Sequence, residues 1–224
     1  TGYLLNLDEK EIKFGIDDMP VLLEEYPYYQ QVRLSKKYNF ENTGELRKEK
    51  NIQFEIVGEN QRSYGIFNTN DDGIIEAELP YGRYFLHQLT TSFGYGKIGN
   101  ISFNIYKHSS SKVVINLIDP YILCKIKISE FDFDYDKKIN LEGFSYRIYD
   151  YSKKKYLSIN DIEVFTTNSS GEILFPMEVG YGKYRLEEVE VPSIYQFQNQ
   201  KIDFTLDDTK EMLIDGKYLI YNTN

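Results

Sequence analysis

Three acids at alternate positions, Asp132, Asp134 and Asp136 in the run FDFDYDKK, have the spacing most like the start of a metal loop. A calcium loop of the EF-hand kind, counted from Asp132, needs glycine in sixth place and glutamate in twelfth. Those places hold Lys137 and Gly143, and the alternation instead sets Phe131, Phe133 and Tyr135 against the acids, as on a half-buried strand entering a turn. The two histidines, His87 and His108, share no ligand spacing. The serines of HSSSK, from His108 to Lys112, sit in no Gly-x-Ser-x-Gly elbow, and the basic run Lys153 to Lys155 reads as a hairpin tip. Cys124 is the only cysteine and lies in the apolar alternation YILCKIKI, where a small buried thiol is expected rather than a nucleophile. No catalytic residue, metal site or cofactor follows from these residues, so the chain reads as a non-enzyme. One acid does raise a question. Glu188 falls on the same alternate face as Tyr184 and Leu186, and an inward charge is costly unless it is paired or has a task.

The elements that would position such residues are extended. The chain of 224 residues has 21 Tyr, 14 Phe and no Trp, and Ala77 is its single alanine. Aromatic and β-branched residues suit pleated surfaces, and the best helix former is nearly absent, so an all-β fold is expected. Period-two alternation runs through VRLSKKY, NIQFEIV, RYFLHQL, ISFNIYK, KIKISEF, FSYRIYD, KYRLEEV and KIDFTLD, separated by turn signals such as ENTGE, TNDDG and TNSSG. In DDG and SSG the glycine supplies the positive φ of a tight hairpin. PVLLEEY, residues 20–26, is the nearest candidate for a helical turn and is too short to stand alone. A net charge of −9 without a dense basic cluster argues against nucleic acid as a partner. No apolar run approaches the ~20 residues that span a bilayer, so no membrane insertion is expected. The opening residues already read as the body of a fold, and the chain is expected to be a piece of something longer.

The same elements occur twice in the same order. YGRYFLHQL begins at Tyr81 and YGKYRLEEV at Tyr181, preceded by TNDDGIIEAEL and TNSSGEILFPM and followed by strands ending FNI and FTL. The N-terminal GYLLNLDEKEIKFGI matches the close of such a unit, and the final GKYLIYNTN reads as the last strand of the second. Prolines 27 and 120 mark the boundaries. The expected organisation is a C-terminal remnant of a preceding repeat plus linker strand at 1–26, then β-sandwiches at 27–119 and 120–224.

These motifs resemble the Cna protein B-type family, also called SpaA-like or prealbumin-like domains, of Gram-positive surface adhesins and pilins. The resemblance rests on TNDDG…LPYGRYFLHQL…FGY…FNI and on TNSSG…VGYGKYRLEEVEVPSIY…FTL, and extends over nearly the whole chain. It implies two tandem Ig-like, prealbumin-like β-sandwich domains in an extracellular protein of a Gram-positive cell wall or surface. It further implies a module that holds a distal adhesive region away from the cell. A binding module for a host protein or glycan and a pilin subunit are the alternatives. Neighbouring domains of the same polypeptide are the implied partners.

The resemblance also brings a chemistry. Many members of the family join a lysine on the first strand to an Asn or Asp on the last, assisted by the glutamate of the Tyr-x-Leu-x-Glu strand. Lysine attacks as the neutral amine, and the acid polarises the acceptor and moves protons. Carried over by position, Lys36 takes the nucleophile place, inward with Val32 and Leu34, but Gln88 stands where the acid belongs and His108 near the acceptor place. The second unit keeps Glu188 but has Glu130 in the lysine place, with Asp207 or Asp208 near the acceptor place. Glu130 and Glu188 are expected to be shallowly buried and solvated. Neither unit shows all three partners, and no isopeptide bond is expected in either.

Overall fold

The computed structural model describes residues 3–5, 25–106, 111–132, 135–214 and 218–222. The chain divides into two compact units, Thr1–Pro120 and Tyr121–Asn224. Among the described residues everything regular is strand except a 3₁₀ turn at Phe40–Asn42. The helical-turn candidate at 20–26 lies mostly outside the described residues, and its last two, Glu25 and Tyr26, belong to a strand. The stretch read as the tail of a preceding copy is likewise described only at its ends. These are β1 (Tyr3–Leu5) and β2 (Glu25–Pro27), which pair antiparallel.

The rest of unit one comprises β3 (Tyr29–Asn39), β4 (Leu46–Lys48), β5 (Gln53–Gly58), β6 (Ser63–Asn68), β7 (Ile74–Pro80), β8 (Gly82–Gln88), β9 (Ile101–Ile105) and β10 (Val113–Asp119). One sheet is centred on β3, with β10 parallel on one side and β7 and β4 antiparallel. The other runs β6-β5-β8-β9, all antiparallel. Alternation on β3 buries Gln30, Val32, Leu34 and Lys36, so the lysine continues the apolar row. Facing it are Phe54, Ile56, Tyr84 and Leu86 of the second sheet, each almost wholly removed from water. Side chains of this size contribute about 1.5–3 kcal/mol each on full burial, which is what holds the layers together.

Unit two comprises β11 (Leu123–Asp132), β12 (Lys137–Lys138), β13 (Ser145–Asp150), β14 (Lys155–Tyr156), β15 (Phe165–Thr166), β16 (Glu172–Gly180), β17 (Gly182–Glu190), β18 (Lys201–Leu206), β19 (Glu211–Ile214) and β20 (Tyr218–Asn222). β11 is flanked by β16 and β20, and β13 by β17, with β18 beyond it. The repeat is legible in detail. Tyr84 Oη donates to the carbonyl of Pro80 and Tyr184 Oη to that of Gly180, both at 2.6 Å. Asn70 Oδ1 accepts the N–H groups of Asp72 and Ile74, and Asn168 Oδ1 those of Ser170 and Glu172. In both units this turn carries the chain from one sheet to the other (β6 to β7, β15 to β16) instead of closing a hairpin. The glycine with positive φ is still required, but the Asn side chain bends the backbone across the sandwich.

The closing strands differ. β10 runs parallel to β3, whereas β20 runs antiparallel to β11 after the β19–β20 hairpin.

Candidate functional site

Lys36 is fully buried, and two carboxylates converge on its amine. Nζ lies 2.7 Å from Glu49 Oε2 and 2.8 Å from Asp119 Oδ1, and it donates to the Lys37 carbonyl at 3.0 Å. The side chains of Lys36 and Asp119 are 0% exposed and that of Glu49 is 1% exposed. Each is placed by the backbone. Lys36 N–H bonds Gly73 O and Glu49 N–H bonds Lys36 O, which draws the segment after β4 against β3. The parallel register of β10 sets Leu117 beside Lys36 and Asp119 beside Tyr38, so Asp119 ends the inward row Val113, Ile115, Leu117.

The two carboxylates are held differently. Glu49 Oε2 accepts a hydrogen bond from Nζ, and Oε1 accepts the Ser92 N–H at 3.2 Å. Asp119 Oδ2 receives Gln88 Nε2 at 2.7 Å and the Thr91 hydroxyl at 2.9 Å. Oδ1 lies close to Nζ yet takes no hydrogen bond, so the angle between the two groups is outside hydrogen-bond geometry. The orientation of Gln88 is fixed from both ends, since Oε1 accepts Ile98 N–H while Nε2 also reaches Thr90 O. One ammonium and two carboxylates in a dry interior leave formal negative charge uncompensated, an expensive arrangement unless it serves a reaction.

The side chain that the neighbouring strand brings to Lys36 is thus Asp119, not a residue near His108; His108 itself lies outside the described residues. The difference has a definite origin. ISFNIYK was read as the closing strand, but it forms the edge strand β9, and the strand beside β3 is β10. An acid at the end of the alternation VVINLID was the available signal. Glu49 carries no such signal, since the run RKEK around it is wholly charged.

In unit two the same register exchanges every partner. Ser35 pairs with Ile74 and Ser129 with Glu172, so Glu130 stands where Lys36 stands. Ile139 N–H bonds Glu130 O, putting Ile139 in the place of Glu49. Glu130 is buried at 6% exposure, deeper than expected, while Glu188 is half-buried. Glu188 Oε2 accepts the N–H of Gln198, just as Gln88 accepts that of Ile98, so this position anchors the following loop in both units. Asp207 Oδ1 accepts the Thr209 N–H in the turn after β18, and Asp208 is exposed there. Neither occupies the strand beside β11, which is β20. In the acid run Asp132 Oδ1 accepts the Tyr135 N–H, and Asp134 lies outside the described residues.

Residues 125–217 match the family model of the prealbumin-like fold domain named SpaA. The matched segment falls within the second unit. Among solved structures, the chain is similar to the Bacillus anthracis TIE protein at 19% identity and a TM-score of 0.60, covering 82% of this chain and 32% of that one. It thus spans about a third of that protein's length. It is also similar to the shaft pilin SpaA of Lactobacillus rhamnosus GG, at 16% identity and a TM-score of 0.40 over 81% of this chain and 95% of that one. For BcpA, the major pilin subunit of Bacillus cereus, identity is 10% and the TM-score 0.40, over 81% and 96% of the two chains. No curated protein matches the sequence.

The SpaA-like unit carries its own buried acid on the opposite face of β17. Glu187 is 3% exposed, and its Oε2 receives Arg147 Nε at 2.9 Å and the Tyr156 hydroxyl at 3.0 Å. Lys201 Nζ stands 3.5 Å from Oε1. Burial alone would raise the Glu187 pKa, but the hydrogen bonds from Tyr156 and Arg147 outweigh it and hold the carboxyl below its usual range. A depressed folded pKa contributes stability that is present above the unfolded value near ~4.3 and is lost as pH falls through the folded value. Glu187→Gln is therefore expected to cost about 1.5 kcal/mol at pH 7 and less at pH 3. Urea midpoints at the two pH values check this, and an equal loss at both would contradict it. Cys124 is inert here: burial pushes its thiol up to about 11, and Sγ rests 3.5 Å from Val179 O.

Proposed function

We propose that this chain is a load-bearing piece of a Gram-positive surface protein, outside the cell, in which tandem prealbumin-like sandwiches at 27–119 and 120–224 act as a stalk. In this reading residues 1–26 belong to a preceding repeat and the link to it. The SpaA match over unit two, and a unit one built with the same tyrosine and asparagine devices, support this reading. A shaft-forming pilin uses the same kind of module, and neighbouring domains of the same polypeptide are the natural partners. The family's role is structural, and the chemistry proposed here is a single self-closure with no turnover.

One observation carries the reading furthest. A buried amine on β3 lies 2.8 Å from a buried carboxylate oxygen that has no hydrogen bond on the parallel strand β10. Unit one closes by condensing Lys36 with Asp119 into an amide, releasing water. That step removes two buried charges and leaves a neutral amide in their place. Intact mass of the purified chain is expected to fall short of the sequence mass by one water, with a digest yielding a Lys36 peptide joined to an Asp119 peptide. A mass equal to the sequence would overturn the closure.

A further inference from the structure

Resting on that closure, we propose that Glu49 is the acid–base residue that makes it, in place of the residue at position 88. In the pattern resembled by this chain the acid belongs on the Tyr-x-Leu-x-Glu strand, but Gln88 occupies that place and an amide cannot carry a proton. Glu49 reaches the amine from elsewhere, the segment between β4 and β5, and does so along a hydrogen bond of 2.7 Å. That geometry suits proton transfer. Asp119 presents the other geometry: Oδ1 is as near to Nζ but off the hydrogen-bond direction, and Oδ2 is gripped by Gln88 Nε2 and the Thr91 hydroxyl. The two carboxylates thus divide the work, one as proton carrier and one as electrophile.

The step balances as follows. Glu49 Oε2 accepts a proton from the Lys36 ammonium, and the freed lone pair on Nζ attacks Asp119 Cγ. Charge developing on Oδ2 is met by the donors from Gln88 and Thr91, which are already in place before the reaction. Of the three ammonium protons one stays on the amide nitrogen. The other two leave with Oδ1 as water, delivered through Glu49, which ends as the carboxylate it began as. Gln88 and Thr91 are the oxyanion donors in this scheme, and in unit two, with Glu130 and Ile139 at the places of Lys36 and Glu49, the reaction has neither nucleophile nor carrier.

The test follows freshly synthesised full-length chain by intact mass over time, with tandem mass spectrometry locating the link. Wild type is expected to lose one water and to join Lys36 to Asp119. The isosteric variant Glu49→Gln is expected to close at least about a hundredfold more slowly while its near-ultraviolet circular dichroism stays like that of wild type. Should Glu49→Gln fail to fold, Glu49→Asp keeps a carboxylate one methylene short and is expected to close completely but at least about tenfold more slowly. Closure of either variant at the wild-type rate overturns the role of Glu49 and leaves the closure itself standing. A link from Lys36 to Glu49 overturns the division of labour. Wild type at its full sequence mass overturns the closure, and the role of Glu49 with it.

Discussion

Lys36→Met is expected to unfold unit one at room temperature while unit two stays folded. The substitution keeps most of the buried volume but strands Glu49 and Asp119 together in the interior. Removing one partner from a buried ion pair costs about 3–5 kcal/mol. The proposed link between positions 36 and 119, by constraining the unfolded chain, would be worth about another 4–5 kcal/mol. The sum rivals the whole stability of a domain, about 5–15 kcal/mol. Urea titration followed by tyrosine emission reads this directly, since the chain has 21 tyrosines and no tryptophan. The expected curve loses one of its two transitions; an unchanged curve would mean that the three groups are neither charged together nor linked. Replacing Lys36, Glu49 and Asp119 together with Met, Leu and Leu is expected to recover folding, because no charge is then left unpaired, but without the link.

Gly171→Ala carries the second-largest expected effect. Gly171 has φ of +66°, and an added Cβ would fall 1.8 Å from the carbonyl oxygen of Ile139 and 3.1 Å from the nitrogen of Leu141. Both are backbone atoms that cannot swing aside. The left-handed backbone costs roughly 1–2 kcal/mol for a residue with a side chain, and overpacking adds about 1–3 kcal/mol. Unit two is expected to lose about 2–5 kcal/mol in urea unfolding. Gly44 provides the control: φ is +86°, but nothing stands within 4 Å of an added Cβ. Gly44→Ala should lose only the conformational part. Equal losses for the two variants would show that the close approach to Ile139 is readily relieved.

Strands were legible in the sequence wherever one face is apolar, because period two needs only adjacent residues to be seen. Tyr84 and Tyr184, or Leu86 and Leu186, follow from their own segments, and the repeat places Lys36 and Glu130 on the same rung. What could not be read was which strand closes each unit. Lys36 and Asp119 are far apart in sequence and meet through a parallel pairing that no local pattern encodes. The turn at Asn70 looked like a hairpin because its residues are those of a hairpin; its direction across the sandwich is set by where Ile75 and Leu79 must be buried. Glu49 was hidden for a different reason. It is drawn inward by a backbone hydrogen bond to Lys36, while Leu46, Arg47 and Lys48 before it remain exposed.

The two directions of closure give the units opposite responses to tension. In unit one the chain enters along β3 and leaves along β10 in the same sense, so a pull on its ends loads every rung from Val113 to Asp119 at once, in shear, with Lys36 and Asp119 bridging those strands. In unit two Asn222, at the end of β20, lies opposite Ile126 near the start of β11. There the same pull peels the rungs apart singly, like a zipper opened from its tab. Under such a pull the second unit is expected to open at a lower force than the first.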